Sequence, residues 1–395
     1  MSLNLINPFI KFPPAVGGGN GFVMAGYTGT TNQTIDRFAT IADWLVDSNE
    51  ASNQCPAAHT AVFSDLYVYV FGNTRSVDTF LKFRIAAADG NLVATVTSST
   101  TGTFSDTSNT DSITQADLVN YKLDIPAGTG SVNMKAAGID TDTVRGILLG
   151  GYNGNAVFSG TTLFGTMNWI TPTSTENRNH VSAPMAMTLQ NLHINVITNS
   201  RNADTTFRLR VEGADVNQTI TITNSTTGVF ADTSNTDSVS QGDKLNYTWI
   251  TAGSSGSLTL RAASIGNAIN ENGFNVYGYH NNALLTADSF YNLSGILQNT
   301  TENNALSPAP NSMTVENITV YTDTNTRNST TNYKLRVNKA DGNNSASITA
   351  STTGTFTDTS NSDSVSADDD LNSQVDITSG TGSIRTTGAG FQRTA

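Results

Sequence analysis

Thr101-Gly102-Thr103-Phe104-Ser105-Asp106-Thr107-Ser108-Asn109 returns as Thr227-Gly228-Val229-Phe230-Ala231-Asp232-Thr233-Ser234-Asn235, and again as Thr353-Gly354-Thr355-Phe356-Thr357-Asp358-Thr359-Ser360-Asn361. Each step is 126 residues (227 less 101, 353 less 227). Self-similarity at a fixed period marks a chain of repeated units, and it sets the organisation before any secondary structure is assigned. The same step carries Leu66 to Leu192 to Ile318, Arg75 to Arg201 to Arg327, Arg84 to Arg210 to Arg336, and Asp117 to Asp243 to Asp369. The start of each repeat is looser: Gly26-Tyr27, Gly151-Tyr152 and Gly278-Tyr279 stand 125 and 127 apart, and Glu50, Glu176 and Glu302 return to 126. Starting each unit at its Gly-Tyr strand gives an N-terminal arm, 1–18, and three units, 19–141, 142–267 and 268–395. A chain of 395 residues suits that division, since domains run to roughly 100–200 residues.

Within a unit the apolar residues recur every second position. Leu66, Val68 and Val70 oppose Tyr67 and Tyr69, and Leu192, Ile194 and Val196 oppose His193 and Asn195, which is the period of half-buried strands. Phe207, Leu209 and Val211 alternate with Arg208, Arg210 and Glu212; a break at Asp215 then leads into Ile220 and Ile222, so the two runs read as a hairpin. Gly242-Asp243 turns the chain into Leu245, Tyr247 and Trp249, and Gly253 to Gly256 turns it into Leu258, Leu260 and Ala262. Seven or eight short strands per unit with no helical period predict an all-β fold: three tandem antiparallel β-sandwich domains of about 126 residues. Each inward Val, Leu or Ile contributes about 1.5–3 kcal/mol, enough for a core without disulfides; Cys55 is the only cysteine and reads as an inert, half-buried thiol.

Composition excludes several classes. Lys plus Arg total 20 against 32 acidic residues, a net charge of −12, so a phosphate-neutralising surface for nucleic acid is not expected. No segment reaches the length and apolarity of a membrane span, and Met1 to Pro14 lacks the basic and apolar regions of a signal peptide. The expectation is a protein made in a host cytoplasm and released by lysis. Phosphate loops, dinucleotide fingerprints and nucleophile elbows do not occur, and Gly17-Gly18-Gly19-Asn20-Gly21 reads as a hinge.

The run Val239-Ser240-Gln241-Gly242-Asp243-Lys244-Leu245-Asn246-Tyr247, following Phe230 to Ser238, resembles a signature of small jelly-roll domains in phage virion proteins and at the tips of bacterial collagen-like fibres. Those domains are in turn similar to complement-type and tumour-necrosis-factor-type jelly rolls. The likeness covers each unit nearly whole; its Gly-Asp turn stands as Ala116-Asp117 in unit 1 and Asp368-Asp369 in unit 3. It implies a jelly-roll sandwich and a trimerising module that works as a knob, fibre tip or capsid ornament. Three fused copies then have two arrangements open to them, a pseudo-threefold body or a linear string, and a trimer of chains is open as well.

Candidate sites are few. Asp106 and Asp111, with their counterparts Asp232, Asp237, Asp358 and Asp363, could offer oxygen ligands to Ca²⁺, although Asp, Ser and Asn in turns more often bond their own backbone. No other metal, cofactor or catalytic residue is expected: the four histidines do not sit at equivalent positions, and Glu50, Glu176 and Glu302 each stand alone in a loop, as turn residues. Arg84, Arg210 and Arg336 read as partners of Asp89, Asp215 and Asp341. The arm carries Leu5, Ile6, Phe9, Ile10 and Phe12 before Pro13-Pro14, an apolar extended segment expected to dock on capsid or tail subunits of the same particle. The reading is a phage virion structural protein, a capsid decoration protein or short head or tail fibre on the particle surface. The alternative is a carbohydrate-binding adhesin that takes a host glycan.

Overall fold

The computed structural model describes residues 21–26, 32–41, 46–141, 147–151, 157–158, 162–167, 173–251, 255–268, 272–278, 283–293, 298–377 and 379–394. Its strands form six antiparallel sheets, two within each of 21–141, 147–267 and 273–394. In unit 1 the eight main strands are Gly21–Gly26, Arg37–Ala39, Ala61–Asn73, Thr79–Ile85, Ala88–Val96, a sixth in two pieces (Gly102–Asp106 and Asp111–Ile113), Leu118–Asp124 and Val132–Thr141. Numbered in that order, one sheet runs 1-8-3-6 and the other 2-7-4-5. Two sheets interleaved in this way are a jelly roll. Units 2 and 3 repeat the order, with third strands Met187–Asn199 and Met313–Asn325, sixth strands Gly228–Val239 and Gly354–Val365, and eighth strands Leu258–Asn267 and Ile384–Thr394.

The register explains the looser spacing at the start of each repeat. Gly26 pairs with Ala136, Gly151 with Ala262 and Gly278 with Gly388. The eighth-strand partners are 126 apart, so the one-residue indels flank the first strand of unit 2, a deletion before it and a compensating insertion between it and Glu176, and the ladder stays intact.

Alternation puts Leu66, Val68 and Val70 in the core, fully buried, with Phe63 stacked on Phe83 at 4.9 Å. Unit 2 centres on Phe207, Tyr247 and Trp249, with ring centroids 4.9 and 5.1 Å from Phe207. Gly165 lies under the Trp249 indole, where a Cβ would meet Cη2 at 2.4 Å, so the largest side chain of that core requires glycine beside it.

Two readings of the pattern need correction. The hairpin between strands four and five does not break at Asp215, which lies in Ala214–Ile222 paired with Arg210; it turns at Glu212-Gly213, both with positive φ (52° and 75°). A two-residue turn of that kind matches the twist of the strands it joins. Ala262 does not continue the inward row of Leu258 and Leu260. Register shifts between the third and eighth strands turn it outward to the core of unit 1, and Ala263 and Ile265 take the inward positions.

Candidate assembly interfaces

The six candidate aspartates lie on strand six, an edge strand rather than a loop, in the segments Gly102–Asp106, Asp111–Ile113, Gly228–Val239 and Gly354–Val365. Each is at most 8% exposed. Asp106 accepts the backbone N–H of Val93 at 2.8 Å, and Asp111 accepts those of Asn91 and Leu92 at 2.7 and 2.9 Å. Asp232 takes Thr219 N–H, and Asp237 takes Asn217 and Gln218 N–H, all at 2.9 Å. Asp358 takes Ser345 N–H at 2.9 Å, and Asp363 takes those of Asn343 and Asn344 at 2.5 and 3.0 Å. Strand five is the edge of the opposite sheet, so these carboxylates sew the two sheets together and satisfy edge N–H groups that no strand reaches. Burial pushes the Asp106, Asp232 and Asp358 carboxyls up, but the N–H donors outweigh it and hold all three below the usual carboxylate range.

The glutamates and arginines that the sequence presents separately form one arrangement. Arg84 Nε donates to Glu50 Oε1 at 2.5 Å, Arg210 to Glu176 at 2.6 Å and Arg336 to Glu302 at 2.6 Å. Each guanidinium also binds Asp89, Asp215 or Asp341 on strand five and lies 5.6–5.7 Å from the ring of Phe38, Phe164 or Phe290. The glutamates open short 3₁₀ turns, so each ion pair ties a long loop to the sheet. The signal was the constant 34-residue offset between two opposite charges that both recur. Arg75, Arg201 and Arg327 are instead buried, 1% exposed, and donate to carbonyls of the turn before strand eight, among them Gly130, Gly256 and Gly382.

The eighth strands of units 1 and 2 are buried at every residue, on both faces. The second face is covered by the next unit. From unit 1, Cys55–Pro56 and its neighbours lie on unit 2: Asn195 Nδ2 donates to Gln54 O at 3.2 Å, and the Asn191 amide meets His59 Nδ1 at 2.9 Å. From unit 2, Val181–Ser182 lies on unit 3, where Thr319 donates to Ser182 O at 3.0 Å and Thr387 to His180 O at 2.8 Å. From unit 3, Ser307–Pro308 lies on unit 1, with Lys135 Nζ donating to Asn304 Oδ1 at 2.9 Å and Arg393 to Asp140 at 3.0 Å. Unit 1 covers 2, unit 2 covers 3 and unit 3 covers 1, which closes the chain as a pseudo-threefold ring rather than a string.

Small residues make this approach possible. A Cβ on Gly138 would meet Pro308 O at 2.4 Å, one on Gly266 would meet His59 Nε2 at 1.8 Å, and one on Gly388 would meet His180 O at 2.7 Å. His59, His180 and His193 are accordingly buried at the seams, and Cys55 is fully buried rather than half-buried. One repeat shows a half-exposed pattern at these positions because the covering surface comes from another unit. Desolvation holds His193 below its ordinary value despite the Asn191 carbonyl, and it does the same for His180 although Glu176 pulls the other way.

The arm residues Leu5, Ile6, Phe9, Ile10 and Phe12, and Tyr27, Tyr152, Tyr279 and His280, lie outside the described residues. No helix among the described residues is long and apolar enough to cross a membrane.

Comparison with protein-family models returned no match, and a search of curated proteins returned none. Among solved structures, an alignment over 94% of this chain and 89% of the other pairs it, at 11% identity, with a chain described as "The Triple Jelly Roll Fold and Turret Assembly in an Archaeal Virus"; the TM-score is 0.17. A score that low carries no argument, and the jelly-roll class rests on the strand order above. By fold and seams the chain is an all-β protein of three jelly rolls.

Proposed function

We propose that the chain is a virion structural protein, a capsid decoration protein or the head of a short fibre, anchored by its N-terminal arm to capsid or tail subunits and displayed on the particle surface. The observation that carries this reading is the cyclic order of the seams, because a self-closed ring of jelly rolls is a finished knob that needs no partner to complete its core. The signature at Phe230 to Tyr247, which resembles that of phage virion domains, supports the same reading. The recurrent charged residues favour a non-catalytic role, since Asp106, Asp111, Glu50, Arg84 and their counterparts are engaged in internal hydrogen bonds. The arm, apolar and joined by glycines, is the segment left for attachment.

Deletion of residues 1–18 tests the reading. Particles assembled with the truncated chain are expected to lack it, while the truncated chain keeps the circular dichroism and melting midpoint of the full one. Undiminished incorporation would overturn the arm's role, and a native particle imaged without this chain on its surface would overturn the virion reading.

A further inference from the structure

The three seams follow one plan, and the seam between units 3 and 1 departs from it. At each, the short strand before strand three of one unit (Cys55–Pro56, Val181–Ser182 or Ser307–Pro308) lies on the outward side of strand three of the next, and the turn between strands six and seven is hydrogen-bonded beside it, Ala116 to Ala57, Gly242 to Ala183 and Asp368 to Ala309. His193, Asn195, Thr319 and Tyr321 occupy that side at the first two seams and are buried, while Ile197 and Asp323, which match Phe71, are half-buried. At the third the same side is a row of aromatic rings, Tyr67, Tyr69 and Phe71, with the tyrosines half-buried and Phe71 41% exposed. Alternation along the strand spaces the rings about 6.5 Å apart on one face, so the row spans about 13 Å.

Across from it, unit 3 carries Asp368 and Asp370 where the other units have Ala116 and Leu118, and Gly242 and Lys244. Asp368 is exposed, and Asp370 is half-buried, attracted by the charge of Lys339 and repelled by Asp368 and Asp369. Their proximity registers on the phenols: burial, Asp65 and Asp368 push Tyr67 up, and burial and Asp370 push Tyr69 up. At the far end Lys135 Nζ lies 4.6 Å from the Phe71 ring centroid and holds Asn304. Both walls of this one seam therefore differ from their counterparts, and they differ together.

We propose that the seam between units 3 and 1 is a binding cleft for a neutral oligosaccharide. The aromatic faces offer apolar platforms for the C–H faces of successive sugar rings. Carboxylates are acceptors only, so Asp368 and Asp370 suit donating sugar hydroxyls, and together with Asp65 they repel anionic sugars. A peptide adding as a strand is not accommodated, because strand three is already paired on both sides, with strands eight and six. The cleft rests on seam geometry alone and stands or falls separately from the virion reading.

The full chain is to be screened on an array carrying neutral cello-, malto- and galacto-oligosaccharides beside sialylated and sulfated glycans, with the strongest partner followed by calorimetry. Binding is expected for neutral saccharides only. It should weaken about tenfold or more in Tyr69→Ala, Phe71→Ala and Asp368→Ala, and hold in Val229→Ala, an exposed apolar residue on unit 2. Asp368 lies on an exposed turn, so its variant tests the cleft even where Tyr69→Ala disturbs the seam. Retention of no neutral saccharide, preference for anionic glycans, or equal binding by the Asp368 and Phe71 variants would overturn the proposal.

Discussion

Asp237 accepts two consecutive backbone N–H groups of strand five while only 4% exposed, so its removal strands two donors at the edge of a buried ladder. Asp237→Ala is expected to destabilise by about 2–3 kcal/mol in denaturant unfolding, the cost of losing charge-assisted bonds together with desolvation of the orphaned groups. Acid acts on the same stitches. Because Asp106, Asp232 and Asp358 have folded values below the ordinary 3.8, their contribution is complete above that value and is lost as pH falls through the lower folded value. A stability-against-pH curve should therefore drop below pH 3.8, and less steeply when Asp232 is replaced by Asn. A second residue-scale prediction concerns the hairpin turn of unit 1. Ala86 and Ala87 sit at φ 48° and 65°, where a Cβ is unfavourable, and Gly213 occupies the matching second position in unit 2. Ala87→Gly should raise unfolding stability by about 1 kcal/mol; a loss would show that the turn is held by more than its backbone.

At the scale of the strand, the two-residue period in sequence reads one face of the sheet and is silent on the other. Leu66, Val68, Val70, Phe207 and Trp249 are core in the structure because their alternation is unbroken. Ala262 escaped that logic because a bulge changes the count, and no composition cue announces where a strand will carry one. The aspartates of strand six were legible as recurrent and acidic, but their role was not, since their partners are backbone N–H groups and those leave no trace in the residue pattern. The glutamate and arginine pairs were legible in principle through their fixed offset. Strand eight shows the limit most clearly. Its outward residues Gly138, Gly266, Gly388 and Gly390 look like weak strand formers, yet each gives a neighbouring unit room to approach. Gly138→Leu should therefore leave unit 1 folded by circular dichroism while opening the seam to unit 3, seen as a larger radius of gyration in X-ray scattering. An unchanged radius would mean that the seam tolerates the side chain.

Across the whole molecule, the seams bury histidines, and these give the ring a dependence on pH. His193 is buried at the first seam. His180, at the second, is faced by Glu176, Glu212 and Lys244 of its own unit and by Tyr321 of the next, 5.2 Å between ring centroids. Both have folded values below 6.5, so the stability they contribute is present above that pH and is lost as pH falls through it toward the lower folded value. The melting midpoint is expected to decline as pH falls below 6.5, and His193→Asn should flatten the decline; a midpoint that stays constant below pH 6.5 would refute the linkage. The closed order of units has one more consequence. The last strand of unit 1 and the first of unit 2 are joined by five residues, 142–146, and the last of unit 2 and the first of unit 3 by 268–272. The three first strands meet one another, so a peptide of that length from the end of Ile384–Thr394 to Gly21 would complete the same pattern. Where the gene begins is then arbitrary with respect to the finished shape. A circular permutant that bridges 394 to 21 with a five-residue peptide and opens the chain at 142–146 should refold to the same body.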